Sequence, residues 1–254
     1  MNDSNKIVNS IERHFDGTPT IIEGSVNEGC TFENTFIGGY GTIIVDEDFL
    51  KDIIGSINYK DLSNDFIKIL TDINNKVNNY FYSDNKENNK REEEYSKSYV
   101  VDDEGMIIGT KLSSLKGKNV AKCSEKSLAA YIILEKMYSD GKLGRKPSLM
   151  LSKLKTEQSK EEPHAFILID KDDNDYPLKH LLYDIENPTI ISDLKGNEFN
   201  VPGIYSLTDE EYKNIREGVS SSPKSLFEEL NSEYRDISVK RIYGGLESKK
   251  VFDY

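Results

Sequence analysis

Apolar residues recur at three- and four-residue steps through Phe66, Ile69, Leu70, Ile73, Val77, Tyr80 and Phe81. That spacing lines one face of a helix. It predicts an amphipathic helix over residues 63–82, with Ser63 or Asn64 supplying the N-cap oxygen. A second stretch differs in kind. From Leu128 to Leu134 nearly every position is apolar, so residues 124–138 predict a helix enclosed on all sides, stopped at Gly141. Shorter runs read as strands: Thr20-Ile21-Ile22, Thr42-Ile43-Ile44-Val45, residues 165–169 and residues 180–184. Tyr99-Val100-Val101 and Met106-Ile107-Ile108 flank Asp102-Asp103-Glu104-Gly105 as a hairpin. Phe49 to Ile54 reads as a short helix. Gly38, Gly39 and Gly41 read as a bend, and residues 170–175 as a turn-rich connection. Thr208-Asp209-Glu210-Glu211 is a capping box that opens a helix running toward Gly218. A further helix is predicted from Ser222 or Pro223 to about Tyr234, and a last strand from Ile237 to Tyr243. Residues 83–97 are almost wholly polar and read as an exposed loop or solvated helical extension. Residues 141–162 read mostly as loop, with one strand at 148–151.

These elements predict an α+β fold, an antiparallel sheet packed on a buried helix. The 254 residues allow one large domain or a domain with an added lobe. A net charge of −12, with no basic stripe carrying interleaved aromatics, repels phosphate backbones and sets nucleic acid aside as a partner. No apolar run reaches the roughly 18 residues that a membrane helix needs. The N-terminus is polar, without a secretory signal pattern. The expected location is cytoplasmic, with export by a signal-less route as the alternative. Oligomeric state is not legible.

With two cysteines and three histidines, none at ligand spacing, a zinc site has no support. The same residues do support a nucleophile. A thiol reacts as thiolate, which a helix N-terminus or an imidazolium favours. Cys123 sits where the enclosed helix must begin, beside unpaired backbone N–H groups that can also donate to an oxyanion. His164 opens an apolar strand and Asp184 ends the next one. Antiparallel pairing would bring the start of one strand beside the end of the other, which outlines a Cys–His–Asp triad. Taken singly, each residue has a plainer reading. Cys123 could be a small buried hydrophobe, His164 a strand-edge residue, and Asp184 part of a turn completed by Asn187-Pro188. His180 is the rival base, at the far end of its strand from Asp184. Cys30 reads as a core or loop thiol and His14 as structural.

A Cys opening a buried helix, then His164-Ala165-Phe166-Ile167-Leu168-Ile169, then Tyr183-Asp184 followed by Pro188-Thr189, resembles the transglutaminase-like superfamily. That superfamily shares its core with papain-like proteases and arylamine N-acetyltransferases. The resemblance covers residues 61–195. Residues 1–60 form an N-terminal extension, and residues 196–254 a helical C-terminal extension with a possible last strand. It implies Cys123 as nucleophile, His164 as base and acid, and Asp184 as the residue that orients the imidazole. It also implies acyl transfer on a protein or peptide amide by a protease, deamidase or transglutaminase, without metal or organic cofactor. Ala121 stands where the family often has Gly, Ser124 where an aromatic is common after the Cys, and Phe166 lies where Trp is frequent. The same triad would serve an acyltransferase with a thioester donor, and a degenerate triad would leave a protein-binding module.

Overall fold

The computed structural model describes residues 8–11, 19–33, 42–55, 66–82, 91–155, 161–172, 177, 179–192, 198–219, 224–226, 238–243 and 246–249. In chain order the first elements are strands β1 (Val8–Ile11), β2 (Thr20–Ile22), β3 (Val26–Glu33) and β4 (Thr42–Ile44). Helices α1 (Glu47–Gly55), α2 (Phe66–Phe81) and α3 (Arg91–Ser96) follow. After them come β5 (Tyr99–Val101), β6 (Ile107–Lys111), a 3-10 turn at Leu112–Leu115, helix α4 (Cys123–Ser139), and strands β7 (Pro147–Lys155), β8 (Glu161–Ile169), β9 (His180–Ser192) and β10 (Glu198–Leu207). Helix α5 (Asp209–Arg216) and strands β11 (Lys224–Ser225), β12 (Ser238–Tyr243) and β13 (Leu246–Lys249) complete the described chain.

The predicted α+β class holds, but the described residues form two sheets. The larger is antiparallel and eight-stranded, in the order β11-β10-β9-β8-β7-β2, with β12 on the distal half of β9 and β13 beyond it. The smaller is five-stranded and mixed, in the order β1-β3-β4-β6-β5; β1 with β3 and β4 with β6 run parallel. Strands from either side of position 60 thus share one sheet, and β10 extends the other sheet past position 195.

Helix α4 is the centre of the core. Thirteen of its seventeen residues are buried, as its apolar sequence requires. Leu149, Leu151, Ala165, Ile167, Ile169, Leu181 and Tyr183 of the larger sheet belong to the same core cluster, as do Leu70 and Val77 of α2 and Phe49 of α1. Three buried hydroxyls fix the layers: Ser127 Oγ donates to the Ala165 carbonyl at 2.9 Å, Tyr131 to Gly24 at 2.8 Å, and Tyr183 to Leu70 at 3.0 Å. The opposite face of the sheet holds Met150, Phe166, Leu168 and Leu207, covered by Tyr212 and Ile215 of α5.

Local signals set the element ends. Asp46 caps α1, accepting from Phe49 N–H, and its second oxygen accepts from Ser113 N–H at 3.0 Å. Helix α4 ends in a Schellman motif: Gly141 has φ of 67°, and Lys142 N–H bonds to the Met137 carbonyl at 2.8 Å. Thr208 and Glu211 form the predicted capping box of α5.

Several segments differ from expectation. Residues 91–96 are the expected helical extension, but not wholly solvated: Glu92, Glu93 and Ser96 are exposed, whereas Tyr95 is fully buried and Glu94 nearly so. A short helix needs only one inward face, which a polar average conceals. The strand expected at 148–151 is present but longer, running over nine residues from Pro147 to Lys155. Strand β9 continues to Ser192, and β10 was not predicted, because Pro202 and Gly203 interrupt its apolar pattern. Lys224–Ser225 is strand where a helix was expected. Strands β1, β3 and β13 were also unforeseen. The bend at Gly38–Gly41, the cap at Ser63 or Asn64, His14, and most of residues 226–237 lie outside the described residues, as do residues 173–175 of the turn-rich connection.

Arg145 secures the far end of the β8–β9 connection. It is 1% exposed, and its guanidinium donates to the carbonyls of Asp170, Lys179 and Pro177 at 3.3, 3.2 and 2.6 Å. Its cation also lies 5.0 Å from the Phe66 ring centroid. Arg145→Met keeps the apolar stem and strands three carbonyls. The expected loss is about 3 kcal/mol of unfolding free energy, since each unpaired buried group forfeits about 1–3 kcal/mol; urea denaturation measures it.

Candidate functional site

The three residues singled out by sequence meet at one place. Cys123 is the first residue of α4. His164 lies on β8 and Asp184 on β9, strands that pair antiparallel through Ile167–Tyr183, Leu168–Leu182 and Ile169–Leu181. Pairing stops there and the strands diverge, which leaves room for side chains between them. His164 Nε2 is 2.8 Å from Asp184 Oδ2. Cys123 lies near enough to act on the charge of the imidazole.

Two further contacts set these positions. Ser127, one turn after Cys123, ties α4 to the Ala165 carbonyl beside His164, so helix and strand are joined close to both residues. Asp184 is held by a bulge. Opposite β10, Asp184 pairs with Gly203 while Thr189 pairs with Val201. Four residues of β9 therefore face Pro202 alone. The extra chain folds back on the carboxylate. Asp184 Oδ1 accepts from Glu186 and Asn187 N–H at 3.1 and 3.2 Å, and Asn187 Nδ2 donates to Asp184 Oδ2 at 2.9 Å. Asn187 Nδ2 also lies 3.3 Å from His164 Nε2.

The electrostatics follow from this packing. Burial pushes against the imidazolium, but the charge and hydrogen bond of Asp184, together with Cys123, outweigh it and hold the His164 pKa above its ordinary value. Burial likewise opposes the Asp184 carboxylate, and His164 and Asn187 overcome that, holding its pKa below the usual range. His164 and Asp184 thus stabilise one another as an ion pair.

A second buried pair lies behind the thiol. Glu125, fully buried in the first turn of α4, accepts from Arg91 Nη2 at 2.6 Å, from Lys122 N–H at 2.8 Å and from the Tyr95 hydroxyl. Arg91 also donates to the Val120 carbonyl. Its guanidinium is close enough to Cys123 to interact with its charge. On the next residues of α4 and β9, Lys126 pairs with Glu186 at 2.6 Å.

His180, the rival base, is placed elsewhere. It stacks on Tyr212 with centroids 3.9 Å apart and accepts from Lys171 N–H. Cys30 is buried in the core, and burial raises its pKa to about 11. Asn187, Arg91 and Gly203 were not among the sequence candidates. Asn187 was legible only as half of an Asn-Pro turn. Among the described residues no group of His, Cys, Asp and Glu is arranged to hold a metal ion, and no helix is long and apolar enough to cross a membrane. Compared with known protein families, curated proteins and solved structures, the chain matches none.

Gly203 is required by the bulge. A Cβ there would lie 2.4 Å from the Asn187 carbonyl oxygen and 3.0 Å from that of Asp184. Gly203→Ala is expected to displace both residues and slow Cys123 alkylation at neutral pH about tenfold, short of the roughly hundredfold that such misplacement removes from full catalysis. Gly55→Ala, with open space around the new methyl, should leave the rate unchanged.

The ion pair also predicts a pH signature in stability. A raised His164 pKa contributes stability that is complete below its unfolded value of about 6.5 and is lost as pH rises through the folded value. A lowered Asp184 pKa contributes stability that is complete above about 3.9 and is lost as pH falls through the folded value. The difference in unfolding free energy between wild type and Asp184→Asn should therefore be largest between about pH 4 and 6.5. A flat difference across urea melts from acid to alkaline pH would show the pair to be energetically silent.

Proposed function

We propose that the chain is a cysteine-nucleophile acyl-transfer enzyme acting on an amide of a protein or peptide, with Cys123 as nucleophile, His164 as acid and base, and Asp184 as orienter. The observation that carries the reading is the His164–Asp184 contact at 2.8 Å, with the thiol at the head of α4 near enough to act on the same imidazole. A structural histidine needs one partner; a base between a thiol and an orienting carboxylate needs both. Asn187 joins the triad as a positioning residue, because it fixes the carboxylate that fixes the ring.

In this reading the Cys123 thiolate attacks the amide carbonyl carbon, and the electron pair of the C=O moves to oxygen. Backbone N–H groups at the start of α4 stabilise that oxyanion. The C–N bond breaks as His164 protonates the departing nitrogen, leaving a thioester on Cys123. Water or an amine then attacks the thioester and gives up its proton to His164, and the C–S bond breaks to regenerate the thiolate. Water yields hydrolysis or deamidation, and an amine yields transamidation. Cys123 is 7% and His164 6% exposed. So narrow an approach favours a slender group such as a glutamine side-chain carboxamide over a backbone peptide bond.

The test is iodoacetamide alkylation of Cys123 against pH in a Cys30→Ser background, with and without His164→Ala, followed by ammonia release from a glutamine-rich protein. Alkylation that is already fast near pH 6 and slows in His164→Ala is the expected result, since a free thiol reacts only near its pKa of about 8.5. A profile centred on the free-thiol value and indifferent to His164 would overturn the reading. Ammonia release should fall about 10⁴-fold in Asp184→Asn, where the tautomer is no longer held.

A further inference from the structure

Six large hydrophobic side chains are exposed among the described residues, and four of them share one hairpin. Val101 on β5 is 53% exposed and Met106, after the turn, 64%; Ile107 and Ile108 of β6 stand open beside them. None of the four belongs to either core cluster, so packing of the fold does not account for their apolar character. They are gathered at one place. Val101 pairs with Ile107 and Val100 with Gly109, so Ile108 is the extra residue of a bulge. A bulge sets two residues of one strand against one of the other. Strand β5 ends the smaller sheet, where an edge ordinarily carries charge rather than apolar side chains.

The hairpin is held in one shape. Asp102 N–H donates to the Met106 carbonyl at 2.9 Å, and Gly105 N–H to the Asp102 carbonyl at 3.0 Å. Asp102 Oδ1 accepts from Glu104 and Met106 N–H at 3.0 and 2.8 Å. Gly105, with φ of 80°, supplies the left-handed position of the turn. At the base, Gly109 lets β6 run close against β4, since a Cβ there would lie 2.7 Å from the Thr42 carbonyl oxygen. A projection already fixed in shape loses little freedom when it binds.

The charges decide the partner. Asp103 and Glu104 are exposed on the turn, beside the apolar group. From Tyr99 to Thr110 the chain holds no lysine or arginine. Lys97 and Lys118, before and after the hairpin, pair with Glu94, and Lys111 lies at the foot of β6. The net charge of −12 repels anionic membranes and nucleic acid. A second copy would set the same acidic turn against its own across a two-fold interface. We propose that this hairpin docks on a partner protein, in an apolar groove bordered by lysine and arginine. Val101, Met106, Ile107 and Ile108 enter the groove, and Asp103 and Glu104 meet its basic rim. The surface includes none of Cys123, His164 and Asp184, and it does not rest on the acyl-transfer reading.

The test titrates the full-length protein with synthetic amphipathic peptides of equal length, one of leucine and lysine, one of leucine and glutamate, and one of serine and lysine. Binding is read by isothermal calorimetry and by the amide NMR shifts of residues 99–111. The leucine–lysine peptide is expected to bind saturably, about tenfold or more tighter than either control, with its shifts confined to the hairpin. Met106→Gln with Ile107→Thr, and separately Asp103→Lys with Glu104→Lys, should each weaken it about tenfold. All four positions are exposed, so the variants should melt as the wild type does. No saturable binding by the wild type, a serine–lysine peptide that binds as tightly, or shifts elsewhere on the protein overturns the proposal. So does occupation of the hairpin by phosphatidylcholine vesicles, or by a second copy in sedimentation equilibrium. These comparisons use the wild type, so a misfolded variant would not rescue it.

Discussion

The fold is organised by the need to enclose α4. A helix with Leu128, Ala129, Ala130, Tyr131, Ile132, Ile133 and Leu134 in succession has no side fit for water. Burying each large aliphatic side chain is worth about 1.5–3 kcal/mol, so the rest of the chain must supply walls in every direction. The larger sheet closes one side, α2 and α1 close others, and β3 and β4 join the same cluster. Enclosure also fixes where the helix ends lie. Its first residue, Cys123, is held between the walls while its unpaired N–H groups remain to be used. The place of this thiol follows from packing as much as from chemistry.

The second constraint is the divergence of β8 and β9 after the Ile167–Tyr183 pair. Continued ladder pairing would have committed the backbone beyond it to ordinary sheet. Instead β9 bulges across from Pro202, and the Asp184 carboxylate gathers two backbone N–H groups, the Asn187 amide and the His164 ring. Bulges are recurrent beside active sites because they re-aim side chains without breaking the sheet. Here the bulge converts an ordinary strand aspartate into a fully satisfied buried anion. Proline opposite the bulge fits, because it has no N–H to lose.

Much of this was legible from residue order. The enclosed helix, the amphipathic helix before it and the two strands carrying His164 and Asp184 follow from apolar periodicity, and the meeting of those two residues follows from antiparallel pairing. What escaped notice had physical reasons. Strand β10 hid because Pro202 and Gly203, which serve the bulge, break the alternation that marks a strand. The second half of β7 hid because Lys153 and Lys155 gave it a polar look. Asn187 hid because an Asn-Pro pair reads as a turn, and its second task depends on a side chain 23 positions away. Arg91 hid inside a run of charges whose average concealed one inward face.

That run bears on reactivity. A carboxylate in the first turn of α4 helps the helix, since Glu125 caps the Lys122 N–H and complements the dipole. Two residues from the thiol, however, the same negative charge opposes a thiolate, and burial amplifies the opposition because low dielectric screens little. Arg91 resolves the conflict. Its guanidinium pairs with Glu125 and reaches the Val120 carbonyl, while Tyr95 donates to the same carboxylate. The net charge behind Cys123 is then close to zero, and the field at the sulfur is left to the helix N-terminus and to His164. A short helix of unremarkable polar sequence, α3, thereby neutralises a buried carboxylate that would work against the proposed nucleophile.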